Sequence, residues 1–415
     1  TGDGNVAVGN QALKTEDGHG YNVAVGYLSL STQNAGADGN NTAVGAYSGA
    51  SITTGTNNTL IGSTAGDALD VGNNNVAVGH LSLTTDSKGS RNTAVGYATL
   101  QSQNFTSASN ANNTALGYAS GSAVTTGVQN TLIGSRAGIA YTDADNNVAI
   151  GMNCLTADTQ GSRSVGVGSG ALAVQNFTSA TNSYNVAVGY GAGASVSTGT
   201  LNTFMGYNAG AANTTGYDNI IIGRDGGVDD DNNGASCITG YRNILIGNAG
   251  SLSATDGIHQ ITLGSNIVGS NSSFTFGNGG TDSRISVGAT SITAPSDERY
   301  KEEITTSTAG LSFINDLRPV TFKWKKEKDI PTDHRAYVAD SDTRVMEKGD
   351  KVQHGFIAQE VKTAIDNHSE IKEGFDMWQV DDSDGRQRLA PSELIPMLVK
   401  AIQELSAEVT ALKGE

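Results

Sequence analysis

Polar and apolar positions recur in a fixed order over most of the chain. The order is Asn, then Val, Thr or Ile, any residue, an apolar residue, and Gly. It begins at Asn5, Asn22, Asn41, Asn58, Asn75, Asn92, Asn113, Asn130, Asn147, Asn185, Asn202, Asn219 and Asn243, with degenerate copies from Ser164 and Gln260. Successive starts lie 17 residues apart, apart from four longer intervals of 19, 21, 21 and 24. A longer period of 72 relates Asn92 to Ser164, Asn113 to Asn185 and Asn130 to Asn202. Seventeen Gly-rich residues are too few for two packed helices and suit one coil of a solenoid. The alternating Val, Ile and Leu predict two short strands and two tight turns per coil. The closing Gly supplies positive φ, and a fixed Asn can ladder its amide from coil to coil. At ~4.8 Å per coil, fifteen coils span roughly 70 Å. The inner positions (Ala7, Ala24, Ala43, Ala77, Ala94) are small. They predict a thin core that is completed by burial against sister chains.

The pattern stops near residue 295. All five prolines and both tryptophans lie at or beyond Pro295, whereas 48 of the 54 glycines precede it. The expected organisation is a β-solenoid over 1–264, a β connector over 265–295, and a small α+β domain over 296–415. That domain closes with a helix, about 390–413, in which Ile395, Leu398, Ile402, Leu405, Val409 and Leu412 step by 3 and 4. This is an a/d seam for a coiled coil.

A formal charge of −16 argues against nucleic acid and anionic membrane surfaces as partners. No apolar run approaches the ~18 residues of a membrane span, so no membrane insertion is expected. Cys154 and Cys237 are too far apart for zinc spacing or a disulfide framework. The chain opens at Thr1 inside a repeat, which suggests the C-terminal part of a longer protein. Asp143–Asp145 and Asp229–Asn233 could offer oxygen ligands to Ca²⁺, but neither has EF-hand spacing, and such clusters make turns. His19, His80, His259, His354 and His368 show no second ligand at metal spacing, so no metal and no cofactor is expected. Two near-identical inserts, Gln103–Ser107 and Gln175–Ser179, carry Phe105 and Phe177. These rings either tuck under their loops or form a platform for a host sugar or protein.

The repeat resembles those of trimeric-autotransporter heads and phage tail fibres. That resemblance implies a left-handed parallel β-roll with three chains side by side. After it come Ser296–Ile304, Leu317–Trp324, His354–Val361 and Leu394–Leu405, an order that resembles the endosialidase-type intramolecular chaperone family. The family's motif S-D-x-R-x-K is met by Ser296, Asp297, Arg299 and Lys301. The resemblance implies a trimerising chaperone that cuts itself away, with Ser296 as nucleophile, Lys301 as general base and Pro295–Ser296 as the scissile bond. It also implies three strands for the terminal coiled coil. A serine hydroxyl needs a base to take its proton, and lysine can serve only when neutral, which burial favours. Spacing alone allows a plainer picture, with Ser296 a helix N-cap and Lys301 a solvated residue.

The expected protein is the distal part of a homotrimeric phage tail fibre, located in the virion and made in the host cytoplasm. It would attach to a host cell-surface glycan or protein receptor. Two alternatives are a tailspike-type glycan-degrading enzyme with its site upstream or between chains, and a bacterial trimeric surface adhesin.

Overall fold

The computed structural model describes residues 3–228, 235–279, 281–289, 291–334, 336–346, 349–380 and 385–414. The chain divides into two compact units, Thr1–Ser296 and Asp297–Glu415.

In the first unit a three-residue strand follows each repeat's Asn, as at Val23–Val25, Thr42–Val44 and Thr59–Ile61. Each pairs parallel and in register with the strand one coil away: Ala24 opposite Ala43, Ala43 opposite Leu60. Sixteen parallel rungs run from Val6–Val8 to Ser273–Asn278, and Thr281–Ser286 adds an antiparallel seventeenth strand. The last parallel rung, Ser273–Asn278, escaped the sequence pattern because it starts with Ser and lies only 13 residues after Gln260.

Most coils contain one strand rather than the expected two. The remaining residues form turns that bond from coil to coil, as Leu30 N–H does to Ser48 O (3.1 Å) and Gly49 N–H to Ala65 O (3.0 Å). A second strand forms in the two 21-residue coils and in the 17-residue coil before each, where Ser109–Asn110 pairs with Gly89–Ser90 and Thr181–Asn182 with Gly161–Ser162.

The core is also fuller than the alanines suggested. Ala24, Ala77, Ala94 and Ala149 face inward and are fully buried, and so are Leu30, Leu83, Leu100 and Leu155, eight residues after each Asn. In the coils with Leu60, Leu132 or Phe204 as the inner strand residue, glycine stands in place of that leucine. A Cβ on Gly66, Gly138 or Gly210 would lie 2.9, 2.8 or 2.2 Å from Leu60, Leu132 or Phe204. The inner residues form one continuous buried cluster within a single chain. The thin core expected from the sequence is therefore corrected.

The repeat's Asn is buried and ladders as predicted. Asn75 N–H and Nδ2 donate to Asn58 Oδ1 at 2.9 and 3.1 Å, and Nδ2 also donates to Gly89 O at 3.0 Å. Every buried polar atom of that amide is used, which fixes coil register. The closing glycines are required twice over. Gly134 has φ +131°, and a Cβ there would sit 2.6 Å from Gly151 O. Gly134→Ala is expected to destabilise the solenoid by about 2–4 kcal/mol, combining backbone strain with a clash. An unchanged denaturation midpoint would mean that the coils stack more loosely than this.

In every three-residue rung the first and third residues point outward, as Ile261 and Leu263 do in the longer rung from Gln260, and none of these is charged. Ile61, Leu116, Met205, Ile246 and Leu263 are among those left substantially exposed.

The second unit contains α1 (Leu311–Asp316), α2 (Ala358–Asn367) and α3 (Leu394–Lys413). Two hairpins pair Val320–Phe322 with Gln353–Gly355 and Trp378–Val380 with Gln387–Leu389. Phe313, Val361, Ile365, Ile371, Met377 and Leu394 form its core. α3 packs on α1 through Leu394, Met397 and Ala401, and Glu404 accepts the orphan N–H of Leu311 at the start of α1 (2.7 Å).

Candidate functional site

The motif residues Ser296–Lys301 span the point in the sequence where the two units divide, between Ser296 and Asp297. On the solenoid side the chain before the expected cut is tied down. Thr293 and Arg284 exchange backbone hydrogen bonds of 2.7 Å, and Thr293 Oγ1 donates to Arg284 O (3.0 Å). Ala294 and Pro295 then line a shallow depression with Asp282, Arg284 and Thr293.

Beyond Ser296 the chain makes one 3₁₀ turn, Glu298–Tyr300. Asp297 is its N-cap and accepts from Arg299 N–H at 2.9 Å, so the plain-cap role considered for Ser296 falls to its neighbour. Arg299 also grips the Asp297 carboxylate through Nε and Nη2, at 3.1 and 2.6 Å. The Arg299 side chain holds that carboxyl below its ordinary value. The pair at the second and fourth motif positions therefore satisfies itself locally and braces the turn. Lys301, at the C-cap with φ −122° and ψ 142°, has left the turn in extended conformation. Ser296 and Lys301 are both exposed in the single chain.

The seam residues of α3 form one exposed stripe. Ile395, Leu398, Ile402, Leu405, Val409 and Leu412 are 42–87% exposed, while Leu394, Met397 and Ala401 turn toward the core. A helix carrying two apolar faces has a second surface to cover.

Phe105 and Phe177 are buried, 6% and 7% exposed, which corrects the aromatic-platform alternative. Their backbone N–H groups donate to Asp86 and Asp158 Oδ1, at 3.4 and 3.1 Å, and the rings anchor the inserts from below. Among the exposed aromatics are instead tyrosines that follow the closing Gly, such as Tyr97, Tyr118, Tyr190 and Tyr207. Tyr97 stacks on Tyr118 (5.4 Å between centroids, 8° between planes) and on His80 (5.7 Å), and Tyr190 stacks on Tyr207 (5.6 Å). The recurring Gly-Tyr pair was the available sequence signal. Asp145 Oδ1 accepts from Val128 N–H of the preceding coil (2.8 Å), a turn-building role, and Asp229–Asn233 lie outside the described residues. Cys154 and Cys237 are free and buried, with thiols pushed up to about 12 and about 11 by desolvation. Cys154 fills the space left by Gly166, where a Cβ would meet Sγ at 2.5 Å.

His368 lies in the second unit between Asp316 Oδ2 (2.8 Å) and Glu370 Oε1 (2.9 Å), with its ring edge-on to Phe313. Asp316 first, then Glu370, raises its pKa. A raised folded-state value gives stability that is complete below the unfolded pKa of ~6.5 and lost as pH rises through the folded value. Because Trp324 and Trp378 are the only tryptophans, their fluorescence reports this unit alone. We expect its denaturation midpoint to fall between pH 6 and pH 9, and His368→Asn to flatten that dependence. An equal slope in the variant would clear His368.

Residues 296–370 match the family model described as chaperone of endosialidase. The match begins at Ser296 and ends before α3. No curated protein and no solved structure matches the chain. Residues 296–370 are thus similar to the endosialidase chaperone family and follow directly on a β-solenoid, an arrangement that fits a phage tail-fibre or tailspike type of protein.

Proposed function

We propose that the chain is the distal part of a homotrimeric phage tail fibre whose C-terminal unit drives assembly and then releases itself between Pro295 and Ser296. The observation that carries this is the coincidence of three boundaries: the start of the family match, the S-D-x-R-x-K motif and the division between the two compact units.

In the chemistry proposed, Ser296 Oγ attacks the Pro295 carbonyl carbon as Lys301 takes the hydroxyl proton. The C–N bond breaks, the proton passes to the departing amine of Ser296, and water hydrolyses the ester. The products are a chain ending at Pro295 and a fragment of 120 residues, 296–415. Lys301 must be neutral to act, yet it is exposed in the single chain. Its desolvation would come from neighbouring chains, so that cutting waits for assembly. Two apolar surfaces support self-association: the α3 stripe and the outward face of the rungs, which carries no charge. Sequencing the new termini of the purified protein tests the reading. A cut at any other bond would remove Ser296 from the role given to it.

Host attachment would use the solenoid surface, where the stacked tyrosines present phenol edges in rows. Retention of the rod on an array of cell-surface glycans, lost in Tyr97→Ser/Tyr118→Ser, is the expected outcome. Undiminished retention would rule out these rings.

A further inference from the structure

Eleven residues after the repeat's Asn, many of the described coils place a side chain into the core. In several coils it is apolar (Ile52, Leu69, Val124, Val196), but Asp86 and Asp158 occupy it in two, each preceding a 21-residue coil. Both are fully satisfied in the same way. Asp86 Oδ1 accepts from Gly89 N–H (2.9 Å), and its Oδ2 accepts from Gln103 Nε2 (2.6 Å). Asp158 uses Gly161 N–H (3.0 Å) and Gln175 Nε2 (2.6 Å). The glutamine oxygen in turn accepts from the next repeat's Asn, Asn113 or Asn185, at 2.8 Å. The residue three after the acid has to be Gly, because a Cβ on Gly89 or Gly161 would sit 1.9 or 2.1 Å from the carboxylate.

The first coil breaks this arrangement at two positions together. Its acid is Glu16, one methylene longer, and the residue three later is His19 instead of Gly. Gln33 occupies the glutamine position and accepts from Asn41 Nδ2 (2.8 Å) as in the other latches. Glu16 Oε1 still accepts from a backbone N–H, that of His19 (3.0 Å). However, Glu16 Oε2 and Gln33 Nε2 do not meet, and neither has a hydrogen-bond partner among the described residues. The Glu16 side chain is only 3% exposed, and its carboxylate faces His19 Nδ1 (Oε1 to Nδ1 3.9 Å), a third buried atom without a hydrogen bond. Asp17 adds a second carboxylate. The candidate ligand atoms of Glu16, Asp17 and His19 all lie within 4.8 Å of one another. Leaving a buried carboxylate oxygen and an imidazole nitrogen unpaired is costly, and one cation between them satisfies both.

We propose that Glu16, Asp17 and His19 bind a divalent first-row transition-metal cation of the Zn²⁺ class. The imidazole nitrogen is a borderline donor, and with only two hard carboxylates beside it the set favours Zn²⁺ over Ca²⁺, which takes six to eight oxygens. Zn–O and Zn–N bonds of about 2.0–2.2 Å require only a modest contraction of the cluster, with solvent as fourth ligand. The loop backbone is already held from the coil side, because Asn5 Nδ2 donates to His19 O (2.8 Å). The sequence pattern hid the site because it lies within four consecutive residues, outside the ligand spacings of known metal motifs.

The test titrates the full chain with ZnCl₂ by calorimetry and with Co²⁺ by visible absorption, beside two variants. His19→Ala removes the imidazole. Glu16→Asp/His19→Gly rebuilds the latch found in the two later coils and so is compatible with the fold. One Zn²⁺ equivalent more in the wild type than in the rebuilt latch, at least about tenfold weaker binding in His19→Ala, and a Co²⁺ spectrum showing nitrogen ligation are expected. Equal Zn²⁺ binding in the wild type and the rebuilt latch, or Ca²⁺ binding as tight as Zn²⁺ and indifferent to His19, would overturn the proposal.

Discussion

Replacing Ser296 by alanine is expected to leave the chain at its full 415 residues through prolonged incubation, with cleavage slowed by about 10⁴-fold or more. Lys301→Met should do the same, because a thioether cannot take the hydroxyl proton. Denaturing electrophoresis with intact mass checks both. Both variants should still fold and assemble, since Ser296 and Lys301 are exposed and contribute nothing to either buried cluster. That separation is the informative part. If Ser296→Ala failed to assemble, the chaperone and protease roles could not be distinct. If Lys301→Met were cut at the wild-type rate, another base would be needed.

The second large effect concerns α3. Ile402→Asp/Leu405→Asp places two charges in the middle of the exposed stripe and spares Leu394, Met397 and Ala401, which hold the helix to its own unit. If the stripe is buried between chains, each lost side chain costs about 1.5–3 kcal/mol before charge burial is added. Assembly should then need at least about a thousandfold higher concentration, and sedimentation should find monomers. Cleavage should be lost with it, because Lys301 would remain solvated. A monomeric variant that cut itself efficiently would break the proposed link between assembly and chemistry. A variant that assembled normally would leave α3 without the role of seam.

Periodicity carried most of the solenoid into view. The Asn ladder, the positive-φ glycines and the in-register rungs each follow from a single conserved position in the coil, and their physical demands are local. Two features depend on pairs of positions and were not legible from one. The exchange of Leu for Gly opposite Leu60, Leu132 and Phe204 is a volume relation between residues six apart, and so the core looked thinner than it is. The Asp86–Gln103 and Asp158–Gln175 latches link residues 17 apart across coils, which alternation of polar and apolar residues does not register. Phe105 and Phe177 show the same limit. Loop position left tucking and exposure both open, and in the structure the rings are buried while the latch below each loop takes a backbone hydrogen bond. In the second unit the residues at the heptad steps of α3 lie on one exposed stripe, because a helix with one core-facing row leaves the other row outside. The local pairing of Asp297 with Arg299 could not be read from spacing, which is equally compatible with either residue facing Ser296.

Native mass spectrometry of the wild-type protein, followed by denaturing mass analysis of the same sample, addresses the central claim in one experiment. The account predicts a threefold assembly whose chains, once denatured, end at Pro295, with the 296–415 fragment recovered separately. A monodisperse single chain of 42.5 kDa, uncut after prolonged incubation, would contradict it.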